Sequence, residues 1–172
     1  MLHLIAHGIE RLLPAPIHRA LLPIAHRIRH RWRLWRKAEL VGCCVVIGDR
    51  TGNVLLLRHS YGPQVWALPG GGIGAGEEPE DAARREVREE LGIALDAMQS
   101  LGTIEEEISG SRHRAHLFAA TSDARPRPDL REVVEARFFP THSLPEPLGR
   151  ITRERIDIWR RRAIGGDHSS ES

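Results

Sequence analysis

The chain has no long hydrophobic run, only two cysteines and a single lysine. No stretch approaches the roughly 18 uncharged apolar residues of an ordinary transmembrane helix, so a spanning helix is not expected. Cys43 and Cys44 are adjacent, and because neighbours in a strand point to opposite faces, they are poorly placed to bridge each other. We therefore expect no disulfide framework, and we expect a reducing location, the cytoplasm. No Cys/His spacing typical of a zinc site occurs.

The length and the charge distribution indicate one domain with an N-terminal appendage. Of the 172 residues, 41% are hydrophobic and 28% are charged, which suits one sizeable core and excludes wholesale disorder. Residues 1–38 carry eight Lys/Arg and one Glu, a net charge of +7, whereas residues 39–172 carry 17 basic and 22 acidic residues, a net charge of −5. We divide the chain into a basic arm (1–38), a body (39–164) and a tail (165–172) that we expect to be disordered.

The basic arm has the pattern of an amphipathic helix. Large apolar residues recur at three- and four-residue steps from Ile17 to Trp35, and most of the arginines fall elsewhere on the helical wheel. In one interpretation the apolar stripe packs on the body or on a second subunit, as in a homodimer. In the other the helix lies on a membrane surface, where Trp beside Arg suits the headgroup region. We favour the packing interpretation, because surface helices with basic faces are common.

The body contains both strand and helix signals. Two apolar runs, 40–47 and 53–58, flank the turn sequence Gly-Asp-Arg-Thr-Gly, which predicts a hairpin. Pro79 near the start, acidic residues in the first turn and Gly92 just past the end predict a helix over 79–91. Further strands are predicted over 102–108, 113–120 and 133–139, with a loop over 125–128 and a closing helix over 150–162.

Three glutamates on the predicted helix carry the chemical signal. Glu86, Glu89 and Glu90 stand at i, i+3 and i+4, so they project from one helical face. Their like charges repel each other unless a cation neutralises them, and carboxylates without His or Cys nearby suit Mg²⁺ or Mn²⁺. The glycine-rich segment 68–77 lets the backbone approach a ligand closely. Taken alone, the glutamates favour a solvated acidic helix whose arginines form i,i+4 pairs, whereas metals over the carboxylates beside the glycine segment indicate phosphoryl chemistry.

The spacing over residues 71–93 resembles the 23-residue box of the Nudix hydrolases at every fixed position. Agreement at so many places is far more specific than a short motif. The segment Trp-Ala-Leu-Pro-Gly-Gly leads into the box, as it often does in that family. The fixed polar and glycine positions are Gly71, Glu77, Arg85, Glu86, Glu89, Glu90 and Gly92.

The resemblance implies a fold and a set of roles. The fold is a Nudix-type α/β/α sandwich in which a mixed sheet lies between helices and the box forms a loop–helix–loop. Glu86 would serve as a ligand or as the base that helps activate water. Arg85 would support catalysis by holding Glu77 and orienting the helix, with Gly71 in support. The implied ligands of Mg²⁺, or of Mn²⁺ as a substitute, are Glu86, Glu89, Glu90 and the carbonyl oxygen of Gly70.

Residues outside the box are expected to complete the site. Many Nudix hydrolases take one more acidic ligand or base from elsewhere, and the sequence leaves five candidates open, namely Glu105, Glu106, Glu107, Glu132 and Glu135. The predicted substrate contacts are Arg58, Arg112 and Arg114, which could neutralise phosphate, and Tyr61, which could stack on a base.

The function implied by the resemblance is metal-dependent pyrophosphohydrolysis. The substrate would be a nucleoside diphosphate linked to another moiety, or a nucleoside triphosphate, with water attacking at phosphorus. Two alternatives stay open. One is a nucleotide-sensing or nucleic-acid-binding regulator that uses a Nudix-like domain, and the other is an RNA 5′-end pyrophosphohydrolase whose basic arm adds affinity for the phosphate backbone. An intact glutamate stripe argues against a pure binder. No sequence mark selects the base or the linked group.

Overall fold

The computed structural model describes residues 40–108 and 111–165. The helix predicted in the basic arm and most of the predicted disordered tail lie outside the described residues. The elements are β1 (Leu40–Gly48), β2 (Asn53–His59), β3 (Gly70–Gly72), α1 (Pro79–Leu91), β4 (Gln99–Ile108), β5 (Ser111–Thr121), β6 (Val133–Pro140) and α2 (Arg150–Gly165).

The strands form one mixed sheet in the order β4-β5-β1-β2-β6, with β3 paired to β1 beside this path. The predicted β1–β2 hairpin is confirmed by antiparallel pairing that starts at Gly48 and Val54. β1 and β5 run parallel over nine residue pairs, and every other strand pair is antiparallel. The mixed sheet and the two helices agree with the predicted fold class.

Both faces of the sheet are covered, which explains why β1 and β2 read as unbroken apolar runs rather than alternating ones. Cys43, Val45 and Ile47 face the core that includes α1, whereas Cys44 and Val46 face the core that includes Ile156 of α2. Both cysteines are buried free thiols, as expected. Burial is the main reason that the pKa of Cys43 is raised to about 11. Within the described residues, no helix is long and apolar enough to cross a membrane.

Helix α1 has the start and the end that the sequence predicts. Pro79 occupies the first turn together with Glu80 and Asp81, where acidic side chains suit the positive end of the helix dipole. Gly92 ends the helix in the left-handed conformation, with φ of 65°, and its N–H donates to the Arg88 carbonyl. One face of the helix is buried in the core, through Ala82, Ala83, Val87 and Leu91.

Three residues of the glycine segment, Gly70–Gly72, form the short strand β3, where the Nudix resemblance implies a loop. β3 pairs with Gly42–Cys44 of β1, with Gly70 opposite Cys44. Gly70 has a φ of 150°, and a Cβ at this position would lie 2.2 Å from the Cys43 carbonyl oxygen. Only glycine lets the two backbones approach this closely. The pairing therefore places the backbone of β3 against β1 and next to α1.

We predict that Gly70→Ala destabilises the fold by about 2 kcal/mol or more, because its methyl group meets backbone that cannot rotate away. Gly72→Ala is the matched control, since a Cβ there would meet nothing within 4 Å, and its effect should stay within about 0.5 kcal/mol. Urea unfolding of both variants measures the difference. Equal stability of the two variants would contradict the close approach.

Candidate active site

Backbone from β3 contacts the acidic face of α1 directly. The N–H of Gly70 donates to Oε2 of Glu90 at 3.1 Å. A Cβ on Gly71 would lie 2.4 Å from the carboxyl carbon of Glu86, so the missing side chain leaves the space that this carboxylate occupies. The predicted residues Gly70, Gly71, Glu86 and Glu90 therefore form one contiguous group.

The two inner carboxylates carry negative charge that their surroundings disfavour. Glu90 is 7% exposed, and its pKa is raised well above the usual value, first by burial and then by the charge of Glu86. Burial also raises the pKa of Glu86, against the opposing effect of Arg85, and the charges of Glu89 and Glu132 add to the rise. A cation that binds beside these carboxylates would offset their negative charge and so stabilise the folded protein.

The Arg85 guanidinium connects Glu77, which precedes α1, with Glu86 on α1. Its guanidinium grips Glu77 as a fork, with Nε to Oε1 at 2.8 Å and Nη2 to Oε2 at 3.0 Å. Its Nη1 donates to Glu86 at 2.8 Å and lies 3.6 Å from a Glu89 carboxylate oxygen. The hydrogen bond to Glu77 is the largest cause of the raised pKa of Arg85, so its charge is permanent. Arg85 holds the glycine segment to the helix, since Nη2 also donates to the Gly72 carbonyl.

Glu89 is the outermost glutamate of the stripe. Its side chain is 37% exposed, against 18% for that of Glu86. Within residues 40–108 and 111–165, no three acidic, histidine or cysteine side chains converge on one point to hold a metal ion. The three glutamates share one face of α1, and their role as metal ligands stays a prediction. The donors are all oxygens, and the inner pair lacks full neutralisation, which fits Mg²⁺ or Mn²⁺.

Among the acidic residues proposed outside the box, Glu132 lies beside it. Its charge contributes to the raised pKa of both Glu86 and Glu90. The Tyr61 hydroxyl donates to Oε2 of Glu132 at 3.2 Å. Tyr61 is thus placed next to the acidic group, and its stacking on a base stays a prediction.

Successive acidic residues of β4 alternate between the two faces of the sheet. Glu106 binds Arg155 of α2 and accepts a 3.0 Å contact from Nδ1 of His113. It therefore belongs to the face of the sheet opposite α1. Glu105 pairs with Arg114 at 3.1 Å on the surface. The contact with Arg155 separates Glu106 from the box, and the roles of Glu105 and Glu107 stay predictions.

The remaining predicted contacts lie on β2, β5 and β6. Arg58 lies 3.5 Å from Glu135 and 5.8 Å from the centre of the Trp66 ring. Both charges of this ion pair are only partly buried. Arg112 is paired in register with Glu107. The roles of Arg58, Arg112 and Arg114 towards a substrate stay predictions.

Sequence reasoning missed Asp129. Its carboxylate accepts hydrogen bonds from the backbone just before and at the start of β6, around Glu132. The available signal was an aspartate after Pro128, because aspartate in such a position commonly bonds to the backbone two residues on.

Comparison with known proteins identifies the family. A family model for the NUDIX domain matches residues 38–159. A mouse diphosphoinositol polyphosphate phosphohydrolase, 3-alpha, is 38% identical over 79 residues, which cover 46% of this chain and 48% of that protein. The NAD-capped RNA hydrolase NudC of Vibrio atlanticus is 31% identical over 120 residues, covering 66% of this chain and 44% of that protein. The chain thus spans about half the length of these curated relatives.

Solved structures share the fold. A MutT NUDIX hydrolase from Burkholderia pseudomallei superposes with a TM-score of 0.64 at 31% identity, covering 70% of this chain and 97% of that one. The NUDIX domain of Shewanella oneidensis NrtR, solved with ADP ribose, has a TM-score of 0.67 at 21% identity, covering 73% of this chain and 89% of that one, and shows the fold alone. With the complete box and the matching domain, this chain belongs to the Nudix hydrolase family, whose members act on phosphoanhydride bonds.

Proposed function

We propose that this protein is a Mg²⁺-dependent pyrophosphohydrolase that cleaves a nucleoside diphosphate linked to another moiety, or a nucleoside triphosphate. The observation that carries the proposal is the buried carboxylate of Glu90 beside the partly buried carboxylate of Glu86, both held against glycine backbone and both with raised pKa values. Such a pair costs free energy in the absence of a cation, and a purely structural helix has no use for it. We also propose a cytoplasmic location, which suits the two free thiols.

The residues present fit a divalent cation. Glu86, Glu89 and Glu90 would hold it together with the Gly70 carbonyl oxygen, and Mn²⁺ would substitute for Mg²⁺. When bound, the cation supplies positive charge that neutralises substrate phosphates and lowers the pKa of water.

The chain's own residues orient this chemistry. Gly70 donates to Glu90 and so fixes the orientation of this carboxylate, which would help to hold the cation. Arg85 keeps Glu86 in place through Nη1 while Glu77 anchors the guanidinium. Glu132 approaches from a separate element, and we assign it as the carboxylate that accepts a proton from the attacking water or adds a ligand. The products would be a nucleoside monophosphate and a phosphorylated second group, or pyrophosphate when the substrate is a triphosphate.

The relatives suggest which phosphoanhydrides to test. Their names refer to diphosphoinositol polyphosphate and NAD-capped RNA, and a structural relative binds ADP ribose. The RNA relative favours 5′-end hydrolysis as the second candidate function. The +7 charge of the basic arm, contributed by residues 1–38, would then add affinity for the RNA backbone. A sensor or regulator without hydrolysis is the remaining alternative.

We predict hydrolysis that EDTA abolishes and that Glu89→Gln or Glu90→Gln lowers by about a hundredfold or more in kcat, because charge stabilisation of the transition state is lost. Glu80→Gln, in the first turn of the same helix, is the control and should retain activity within about twofold. Phosphate release at several Mg²⁺ concentrations measures the effect. Full activity of the Glu89 and Glu90 variants would remove these residues from the site.

We predict modest discrimination between bases, because an aromatic such as Tyr61 can stack on any base. A panel of nucleoside triphosphates, ADP ribose, NAD-capped RNA and a diphosphoinositol polyphosphate, each assayed with Mg²⁺, defines the substrate class. A preference above about a thousandfold for one base would reveal a hydrogen-bonding pocket instead. Hydrolysis of the inositol compound alone would contradict the nucleotide part of the proposal.

We predict that Glu90→Gln stabilises the metal-free protein at pH 8, by about 1–3 kcal/mol, because the amide needs no charge in a buried place. The folded-state pKa of Glu90 lies above its unfolded value, so this carboxyl favours folding at low pH, and that contribution is lost as the pH rises through the folded pKa. The stability difference between Glu90→Gln and wild type should therefore grow from pH 5 to pH 8 in EDTA. Urea unfolding provides the measurement. Saturating Mg²⁺ should reverse the order, since it stabilises the wild type more, and a pH-independent difference would contradict the raised pKa.

A further inference from the structure

The turn that precedes β6 is organised around a single carboxylate. Oδ1 of Asp129 accepts the backbone N–H groups of Arg131, Glu132 and Val133 at 3.0, 3.1 and 2.9 Å. Oδ2 accepts the Glu132 N–H as well, at 3.2 Å. The backbone of Glu132 is thus held on both sides and at its own amide by one side chain.

This turn is fastened to the element that carries the acidic stripe. The last carbonyl groups of a helix lack partners within it, and here the Asp129 N–H donates to the Glu90 carbonyl at 3.1 Å while the Arg127 N–H donates to the Leu91 carbonyl at 2.7 Å. The position of Asp129 is therefore set by α1 itself. A displacement of the helix would carry the turn with it.

A second anchor comes from the end of β2. The Ser60 N–H donates to the Glu132 carbonyl at 2.8 Å, and the Ser60 Oγ donates to the Arg131 carbonyl at 2.7 Å. Between the anchors, Leu130 is held at a φ of 58° and its N–H donates to the Val133 carbonyl at 3.0 Å. A leucine in this conformation costs free energy that the surrounding hydrogen bonds must offset. The geometry of the turn is imposed by these bonds and not by the preference of its residues.

We propose that Asp129 is a positioning residue of the hydrolytic site, which holds Glu132 at a fixed distance from Glu86 and Glu90. This inference rests on the proposed function, because it assigns a purpose to the position of Glu132. Asp129 acts on Glu132 through the backbone, so its amide-accepting oxygens carry this role, and its charge separately adds to the raised pKa of Glu90. The turn thereby holds the Glu132 carboxylate in a more fixed position relative to α1 than a loop without these hydrogen bonds would.

The alternative is that Asp129 only stabilises a turn. The β1–β2 hairpin offers a matched control, because Asp49 accepts the backbone N–H groups of Thr51 and Asn53, each at 2.8 Å. That hairpin is at the C-terminal end of β1, whereas β3 pairs with residues nearer its N-terminal end. Asp49→Ala removes the same kind of turn carboxylate away from the acidic stripe.

The experiment compares Asp129→Ala, Asp129→Asn and Asp49→Ala in the full chain. We measure kcat and KM for the best substrate with Mg²⁺, and Mn²⁺ affinity by electron paramagnetic resonance. We expect Asp129→Ala to lose about 10–100-fold in kcat or in Mn²⁺ affinity, with KM for substrate changed less than about threefold. Asp129→Asn, which keeps Oδ1 as an acceptor, should restore most of both values. Asp49→Ala should lower the melting temperature and leave both unchanged.

A double-mutant cycle with Glu132→Gln separates positioning from stability. If Asp129 acts through Glu132, Asp129→Ala in the Glu132→Gln background lowers neither kcat nor Mn²⁺ affinity further. Full additivity would overturn the proposal, and so would wild-type values in Asp129→Ala. If Asp129→Ala does not fold, Asp129→Ser keeps a hydroxyl acceptor and takes its place in the cycle.

The outcomes also separate this inference from the proposed function. If the wild type hydrolyses nothing in the panel, the proposed function fails. The Mn²⁺ affinities are then the only test of the role of Asp129. Equal affinity in Asp129→Ala and wild type overturns that role. If the wild type hydrolyses substrate and Asp129→Ala matches it in both readouts, only the inference fails.

Discussion

The close approach of the β3 backbone to the carboxylates of α1 is the contact on which the rest of the site depends. Gly70 and Gly71 bring main-chain atoms to places where any side chain would collide with Cys43 or with Glu86. The same approach lets the Gly70 N–H reach Glu90. Without it, the helix would present its glutamates to solvent, and their pKa values would not be raised by burial.

This approach creates an electrostatic imbalance that the fold tolerates. Glu86 and Glu90 are partly desolvated and repel each other. The one positive charge of Arg85 is shared, because its guanidinium donates hydrogen bonds to both Glu77 and Glu86. An imbalance of this kind is a cost in stability, and functional sites commonly carry such costs. The chemistry of the family, cleavage of phosphoanhydrides, gives the imbalance a use under the proposed function, because a divalent cation would offset the carboxylate charge and attract an anionic substrate.

The two faces of the sheet keep separate ionic networks. On the α1 face, Arg85 joins the glutamates of the box. On the α2 face, Arg155 joins Glu106, which also contacts His113. The apolar residues of the sheet lie between the two networks. Interaction energies fall with distance and with the intervening contacts, so a change in one network should couple weakly to the other.

Local sequence was sufficient for the helix over 79–91, the β1–β2 hairpin and the Nudix box, because turn residues, caps and helical spacing act between neighbours. The same information left five acidic residues outside the box as equals. Only tertiary structure placed Glu132 beside Glu86 and Glu90 while Glu106 went to Arg155. It also decided that the glycine segment is a strand on β1 and that Asp129 organises the turn before β6. These relations join residues far apart in the chain, and the path of the backbone between them is set by the packing of the whole core, which no short pattern encodes.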